Sequence, residues 1–151
     1  MTVRRVQPDD VPTVLGLVRE LAAYEKSEHE VLMTEEQLRT ALFGETPALF
    51  GHVALADDGE IAGFALWFLN FSTWRGTHGV YLEDLYVSPK HRGSGLGKEL
   101  LRTLAAVCVE RGYSRLEWRC STGTPRRSTS TRRPAPSLWT SGPSSASPTT
   151  P

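Results

Sequence analysis

The chain has little cysteine, no excess of charge and no long apolar run. Its two cysteines, Cys108 and Cys120, are too few for a disulfide framework or a cysteine-built zinc site. Seventeen Lys and Arg balance seventeen Asp and Glu, so no global field recruits nucleic acid or an anionic membrane. No apolar stretch approaches the ~18 residues of a membrane span, and the opening MTVRRVQPDD lacks the apolar core of a signal peptide. The histidines, His29, His52, His78 and His91, are scattered without metal-ligand spacing, so no metal site is expected. The expectation is a soluble, cytoplasmic protein of one domain, with 151 residues to build a single core.

A second deficit is local. Residues 121–151 contain one leucine and one tryptophan, and no Ile, Val, Phe, Tyr, Met, Asp, Glu or Lys. Such a segment cannot bury enough apolar surface to offset its ordering entropy, and it is predicted to be disordered. Residues 1–119 are therefore read as the folded domain and residues 120–151 as a tail of a different kind.

What is present before that point has clear punctuation. Thr2 to Val6 reads as a strand. Val11, Val14, Leu15, Val18, Leu21 and Ala22 fall at helical spacing up to about Tyr24, with Asp9 and Asp10 at the positive end of the dipole. Thr34-Glu35-Glu36-Gln37 is a capping-box pattern opening a second helix through Leu38, Ala41 and Leu42. Residues 49–56 and 60–68 read as a hairpin turning at Asp57-Asp58-Gly59, and residues 70–79 as a loop carrying Trp74. A strand over residues 80–87 ends at Ser88-Pro89, a glycine-rich turn follows, and a long helix runs to Gly112. Residues 113–119 read as a last strand. The order β-α-α-β-β-β-α-β is an α+β fold, one mixed sheet with helices on its faces.

The glycine-rich turn, Arg92-Gly93-Ser94-Gly95-Leu96-Gly97, is the centre of the chain. A strand feeding such a turn into a helix makes an anion cradle, because glycine lets a ligand approach the backbone and the first helical N–H groups are unsatisfied. Arg92 and Lys98 flank it with positive charge. Spacing decides among phosphate-binding motifs. A Walker loop needs glycine where Arg92 stands and Ser or Thr where Glu99 stands; a dinucleotide fingerprint needs glycine where Lys98 stands. Arg92-x-x-Gly95-x-Gly97 instead resembles the pyrophosphate arm of the GNAT (Gcn5-related N-acetyltransferase) superfamily. The likeness covers roughly residues 1–119. LVRELAAYEKSEHEVLMTEEQL, FGETP, GFALWF, TWRG and YLEDLYV look like the diamine (spermidine/spermine) and thialysine N-acetyltransferase branch.

The resemblance implies an enzyme that transfers acetyl from acetyl-CoA to a primary amine of a small molecule. Gly93, Ser94, Gly95, Leu96, Gly97 and Lys98, with Arg92, would hold the diphosphate. The main chain of Leu85, Tyr86 and Val87 would bind the pantetheine arm, with the Leu85 N–H polarising the thioester carbonyl. Glu83 is assigned as base or amine anchor with Asp84 in support, since an ammonium must be held and must lose a proton. Being neighbours on a strand, their side chains are expected on opposite faces. Tyr24 and Glu25 match a pair lining the amine groove, and Trp74 offers a cation–π wall. A homodimer is implied as well. Cys108 and His91 are read as a core residue and an exposed neighbour of the turn.

Two further readings belong to the sequence: an acyl-CoA-binding fold impaired in catalysis by its altered C-terminus, and a non-enzymatic regulator binding a nucleotide at the turn. The tail itself reads as out of frame. Taking the last base of each codon with the first two of the next, residues 121–126 permit DWNTP, and Leu138 through Pro148 permits MDEWTVFRLT. Both resemble the branch's C-terminal strands and helix. One base lost near codon 119, or two gained, would produce the tail.

Overall fold

The computed structural model describes residues 2–119. Its strands are β1 (Thr2–Arg5), β2 (Phe50–Leu55), β3 (Ile61–Ser72), β4 (Thr77–Val87) and β5 (Leu116–Trp118), and its helices are α1 (Val11–Tyr24), α2 (Glu35–Phe43) and α3 (Leu96–Arg111). The strands form one five-stranded sheet in the order β1-β2-β3-β4-β5. The first four pair antiparallel and β5 pairs parallel to β4, which is the expected mixed sheet. The tail of residues 120–151, with the disorder and the shifted frame read into it, lies outside the described residues.

Helices cover both faces of the sheet. On one, Val11, Val14, Leu15 and Leu17 of α1 and Leu38 and Leu42 of α2 pack against Val53, Phe64, Leu66 and Tyr86. On the other, Leu96, Leu100, Leu104 and Cys108 of α3 pack against Ala54, Ala62, Ala65, Trp67, Val80 and Leu82. Alternation along β3 sorts the two cores, Phe64 and Leu66 to one side, Ala65 and Trp67 to the other. The alanines leave room for α3 to lie close over the sheet. Cys108 is buried in this core, as the sequence suggested.

The ends of the elements follow local chemistry. Thr34 accepts the Gln37 N–H at 3.2 Å while Gln37 accepts the Thr34 N–H at 3.0 Å, closing the capping box on α2. Asp10, ahead of α1, accepts the Gln7 N–H at 2.7 Å and both Arg4 guanidinium nitrogens at 2.6 and 3.0 Å. Gly112 ends α3 in the left-handed region at φ 67°, which favours glycine.

One element differs from expectation. The loop expected over residues 70–79 shortens to a turn at residues 73–76 that carries Trp74: β3 and β4 stay paired through Asn70↔Gly79 and Phe71↔His78 to Ser72↔Thr77. Cross-strand contacts carry the pairing past the expected strand end. Phe71 meets His78 edge-on at 5.0 Å, and the Asn70 amide donates to Glu117 at 2.6 Å.

Candidate active site

The site begins where β4 breaks its register. Leu66 pairs with Asp84 and Trp67 with Leu82, so Glu83 is the extra residue of a β-bulge. The bulge changes which way the side chains point. Leu82 belongs to the α3 core and Tyr86 to the α1/α2 core. Counting forward from Leu82 puts Glu83 on the α1 side; counting back from Tyr86 puts Asp84 there too. The expectation of opposite faces is thus corrected. A one-residue insertion shifts the parity of the strand, and both carboxylates share the face that carries the end of α1.

Their surroundings separate them. Asp84 is half-buried, and burial first, then the Glu83 and Glu25 carboxylates, push its pKa up to about 6 from 3.8. Glu25 is the C-cap residue of α1, so the strand and the helix end bring three carboxylates into electrostatic contact. Glu83 and Glu25 are exposed. A half-buried acid poised near neutrality is suited to exchanging a proton with a cationic ligand, and the exposed carboxylates to holding one. The resemblance assigns Asp84 the supporting part; in the structure it is the carboxylate of the pair that is half-buried and poised near neutrality.

Beyond the bulge, β4 offers main-chain groups. β5 pairs with Val80, Tyr81 and Leu82 and goes no further, so among the described residues β4 has no strand beside residues 83–87 on that side. The Ser88 N–H donates to Ala62 at 2.8 Å, which marks Val87↔Gly63 as a non-hydrogen-bonded pair. By alternation Leu85↔Ala65 is another, so the Leu85 and Val87 main-chain groups point away from β3 into the gap. Tyr86 differs from its neighbours. Its pairing with Phe64 directs its own N–H and C=O to β3. The gap is therefore served by Leu85 and Val87.

The glycine turn follows a short helical turn, Pro89–His91. Gly93 has φ 83° and Gly95 φ 89°, left-handed conformations that cost other residues strain. A Cβ on Gly93 would meet nothing within 4 Å, so that face of the turn is open. The first α3 bond joins Glu99 N–H to the Gly95 carbonyl at 3.0 Å, leaving the preceding N–H groups of the helix start without intrahelical acceptors. Lys98 is exposed beside them. These donors, the open backbone and the cation fit a diphosphate.

Arg92 does something the motif did not suggest. Its guanidinium lies over the Tyr24 ring at 4.8 Å and the Tyr86 ring at 5.4 Å, and its Nε donates to the Val87 carbonyl at 3.1 Å. The Tyr86 hydroxyl donates to Glu20 at 3.4 Å. Glu20 was missed from sequence, although it stands one helical turn before Tyr24, a spacing that places both on one face. His91 is half-buried with Nε2 3.8 Å from Glu60, itself paired to Lys90 at 2.6 Å. Trp74 is not brought to this cluster. It sits at the tip of the β3–β4 hairpin, 83% exposed, and the seven strand steps from Thr77 to Asp84 span about 24 Å. No group of His, Cys, Asp and Glu suited to a metal occurs among the described residues.

A mixed sheet between helices, a strand ending in a gap and a glycine turn opening a helix define an acyltransferase of the N-acetyltransferase type. The comparisons place it further. The family model of the Acetyltransferase (GNAT) family matches residues 16–127. The chain is 39% identical over 123 residues to thialysine N-epsilon-acetyltransferase of Bos taurus, covering 76% of this chain and 71% of that protein. It is 30% identical over 113 residues to spermidine/spermine N(1)-acetyltransferase-like protein 1 of Homo sapiens, covering 71% of this chain and 16% of that one. Among solved structures, an aminoglycoside acetyltransferase from an uncultured soil metagenomic sample, in complex with sisomicin, shares the fold with TM-score 0.67 at 20% identity, covering 80% of this chain and 78% of that one. The chain belongs to the GNAT acetyltransferase family and is an N-acetyltransferase of it, which leaves the reading as a non-enzymatic nucleotide-binding regulator without support. No described helix is long and apolar enough to cross a membrane.

Proposed function

We propose that the protein transfers acetyl from acetyl-CoA to a primary amine of a small cationic molecule, of the polyamine or thialysine kind. The observation that carries this reading is the bulge at Glu83. It gathers Glu83 and Asp84 on the face shared with Glu25, beside the Leu85 N–H, which has no neighbouring strand on that side among the described residues. Thialysine and spermidine/spermine in the relatives' names point to the same substrate class. An amine with several positive charges matches several carboxylates.

Each residue then has a part. Glu25 and Glu83 hold the ammonium, and Asp84 takes its proton so that the neutral nitrogen can attack. The Leu85 N–H supports the oxyanion as the C–N bond forms and the C–S bond breaks. Val87 holds the pantetheine arm through its main chain. The turn from Gly93 to Lys98 holds the diphosphate. Tyr24 walls the groove at the end of α1. A homodimer and a cytoplasmic location belong to the same reading. The test is CoA release from acetyl-CoA by the full chain, offered thialysine, spermidine, ornithine and a lysine peptide. Preference for an amine carrying a second charge supports the proposal; equal turnover of uncharged-tail amines, or none at all, refutes it.

A further inference from the structure

The Arg92 side chain spans two parts of the site that the sequence keeps far apart. It leaves the cofactor turn, yet its cation rests between an aromatic ring on the last residue of α1 and one on β4, at 4.8 and 5.4 Å. Its Nε anchors on the Val87 carbonyl at 3.1 Å, so the side chain is held at both its middle and its end. Tyr86 is fixed in turn, 5% exposed and donating to Glu20 of α1 at 3.4 Å. Tyr24, by contrast, is 65% exposed, and the cation–π contact with Arg92 is the contact that ties its ring to the turn. Immediately after Tyr24 come Glu25 and then Lys26, which has φ 59°. The helix thus ends abruptly at the residue that acts on Asp84. A guanidinium used in this way rests its cation on aromatic faces while its Nε donates to the carbonyl.

We propose that Arg92 is a positioning residue for the amine site. Its guanidinium pins the α1 end, and with it Glu25, over the carboxylates of β4, while the main chain of the turn attends to the diphosphate. This rests on the reading of that face as the amine site. It predicts a division of labour inside one motif: backbone for acetyl-CoA, the arginine side chain for the acceptor amine.

The experiment compares Arg92→Gln, Arg92→Lys, Tyr24→Leu, Tyr24→Phe and the Arg92→Gln/Tyr24→Leu pair in the full chain. Hydrogen exchange at residues 21–25 should rise about threefold in Arg92→Gln and in Tyr24→Leu, as expected for loss of an exposed cation–π contact. The pair should rise no further, and Tyr24→Phe, which keeps the ring, should keep the protection. The amine KM of Arg92→Gln should increase severalfold, with Arg92→Lys intermediate and CoA affinity by calorimetry within twofold of the parent. Unchanged exchange at residues 21–25 overturns the proposal. So does a tenfold loss of CoA affinity with the amine KM untouched, which would make the guanidinium a diphosphate ligand. If no amine is acetylated by any of the proteins, the proposed function falls, and the exchange pattern alone decides the role of Arg92.

Discussion

Replacing Asp84 by Asn should make the protein more stable at neutral pH and less active. Burial and the carboxylates of Glu83 and Glu25 push the Asp84 pKa up to about 6 from 3.8. At face value that gap disfavours the charged form by about 3 kcal/mol. The side chain is only half-buried, and solvent screening reduces the figure to about 1–2 kcal/mol. The sign follows from proton binding. Between pH 4 and 6 the native state holds a proton that the unfolded state has released, so stability falls as pH rises through that window. The penalty is absent below the unfolded value and complete above the folded one. Asn has the shape of the neutral acid and carries no charge, so the variant escapes the penalty. At pH 7.5 it should unfold several degrees higher than the parent, and below pH 4 the two should coincide. Thermal unfolding by circular dichroism from pH 3.5 to 8, taken as the difference between the two proteins, isolates this group from others that titrate. Acetyl transfer should fall about 100-fold if Asp84 accepts the ammonium proton. A variant less stable at every pH, or more stable by an amount independent of pH, would refute the electrostatic account.

The other predictions concern separate parts of the chain. Gly97 is the informative position in the cofactor turn, because a Cβ there meets Val87 and Leu85 side chains at ordinary distances of 3.7 and 3.8 Å, whereas Gly95 at φ 89° would be strained by any side chain. Gly97→Val should fold normally and bind acetyl-CoA at least about tenfold more weakly by calorimetry, and undiminished affinity would remove the diphosphate from this turn. Gly16 lies within α1 with open space where a Cβ would go, so Gly16→Ala should raise stability by about 0.5–1 kcal/mol in urea unfolding without changing turnover. Asp10→Ala should cost about 1–3 kcal/mol near pH 7, because it strips the Arg4 guanidinium and the Gln7 N–H of their acceptor. Arg4 holds the Asp10 pKa below its usual value, so that contribution exists above pH 4 and should vanish as pH falls further. Sequencing the gene around codon 119 should find a base missing or two gained, and restoring the frame should raise the unfolding temperature; a gene that encodes residues 120–151 as written refutes the shifted frame.

Much of this was legible in the sequence because it depends on local chemistry. The Thr34–Gln37 capping box, the Gly112 stop and the helical spacing of Leu96, Leu100 and Leu104 each involve residues within a few positions of one another. What was not legible depends on partners distant along the chain. Strand pairing beyond residue 70 rests on contacts from Asn70 and Phe71 across to Glu117 and His78. The resting place of Arg92 required knowing that α1 ends against β4. The motif marks Arg92 as one end of a phosphate cradle, and nothing in its spacing says that Tyr24 and Tyr86 will take the side chain.

The bulge at Glu83 shows why one such distant choice governs the chemistry. A regular β4 would have sent Glu83 and Asp84 to opposite faces, one of them toward the apolar α3 core beside Leu82 and Leu100. A carboxylate there would be desolvated without a charged partner, a costly arrangement. The extra residue moves both to the α1 side, where solvent reaches Glu83 and where Glu25 already stands. Burial first, and then the concentration of like charge, raise the Asp84 pKa and lower the stability of the ionised site, and a bound cation would offset the repulsion. The Leu85 N–H points away from β3, on the side where β5 reaches no further than Leu82 among the described residues. In the function proposed above, the anchor, the proton acceptor and the carbonyl donor are the three consecutive residues Glu83, Asp84 and Leu85, and the one-residue change in pairing is what puts both carboxylates on one face.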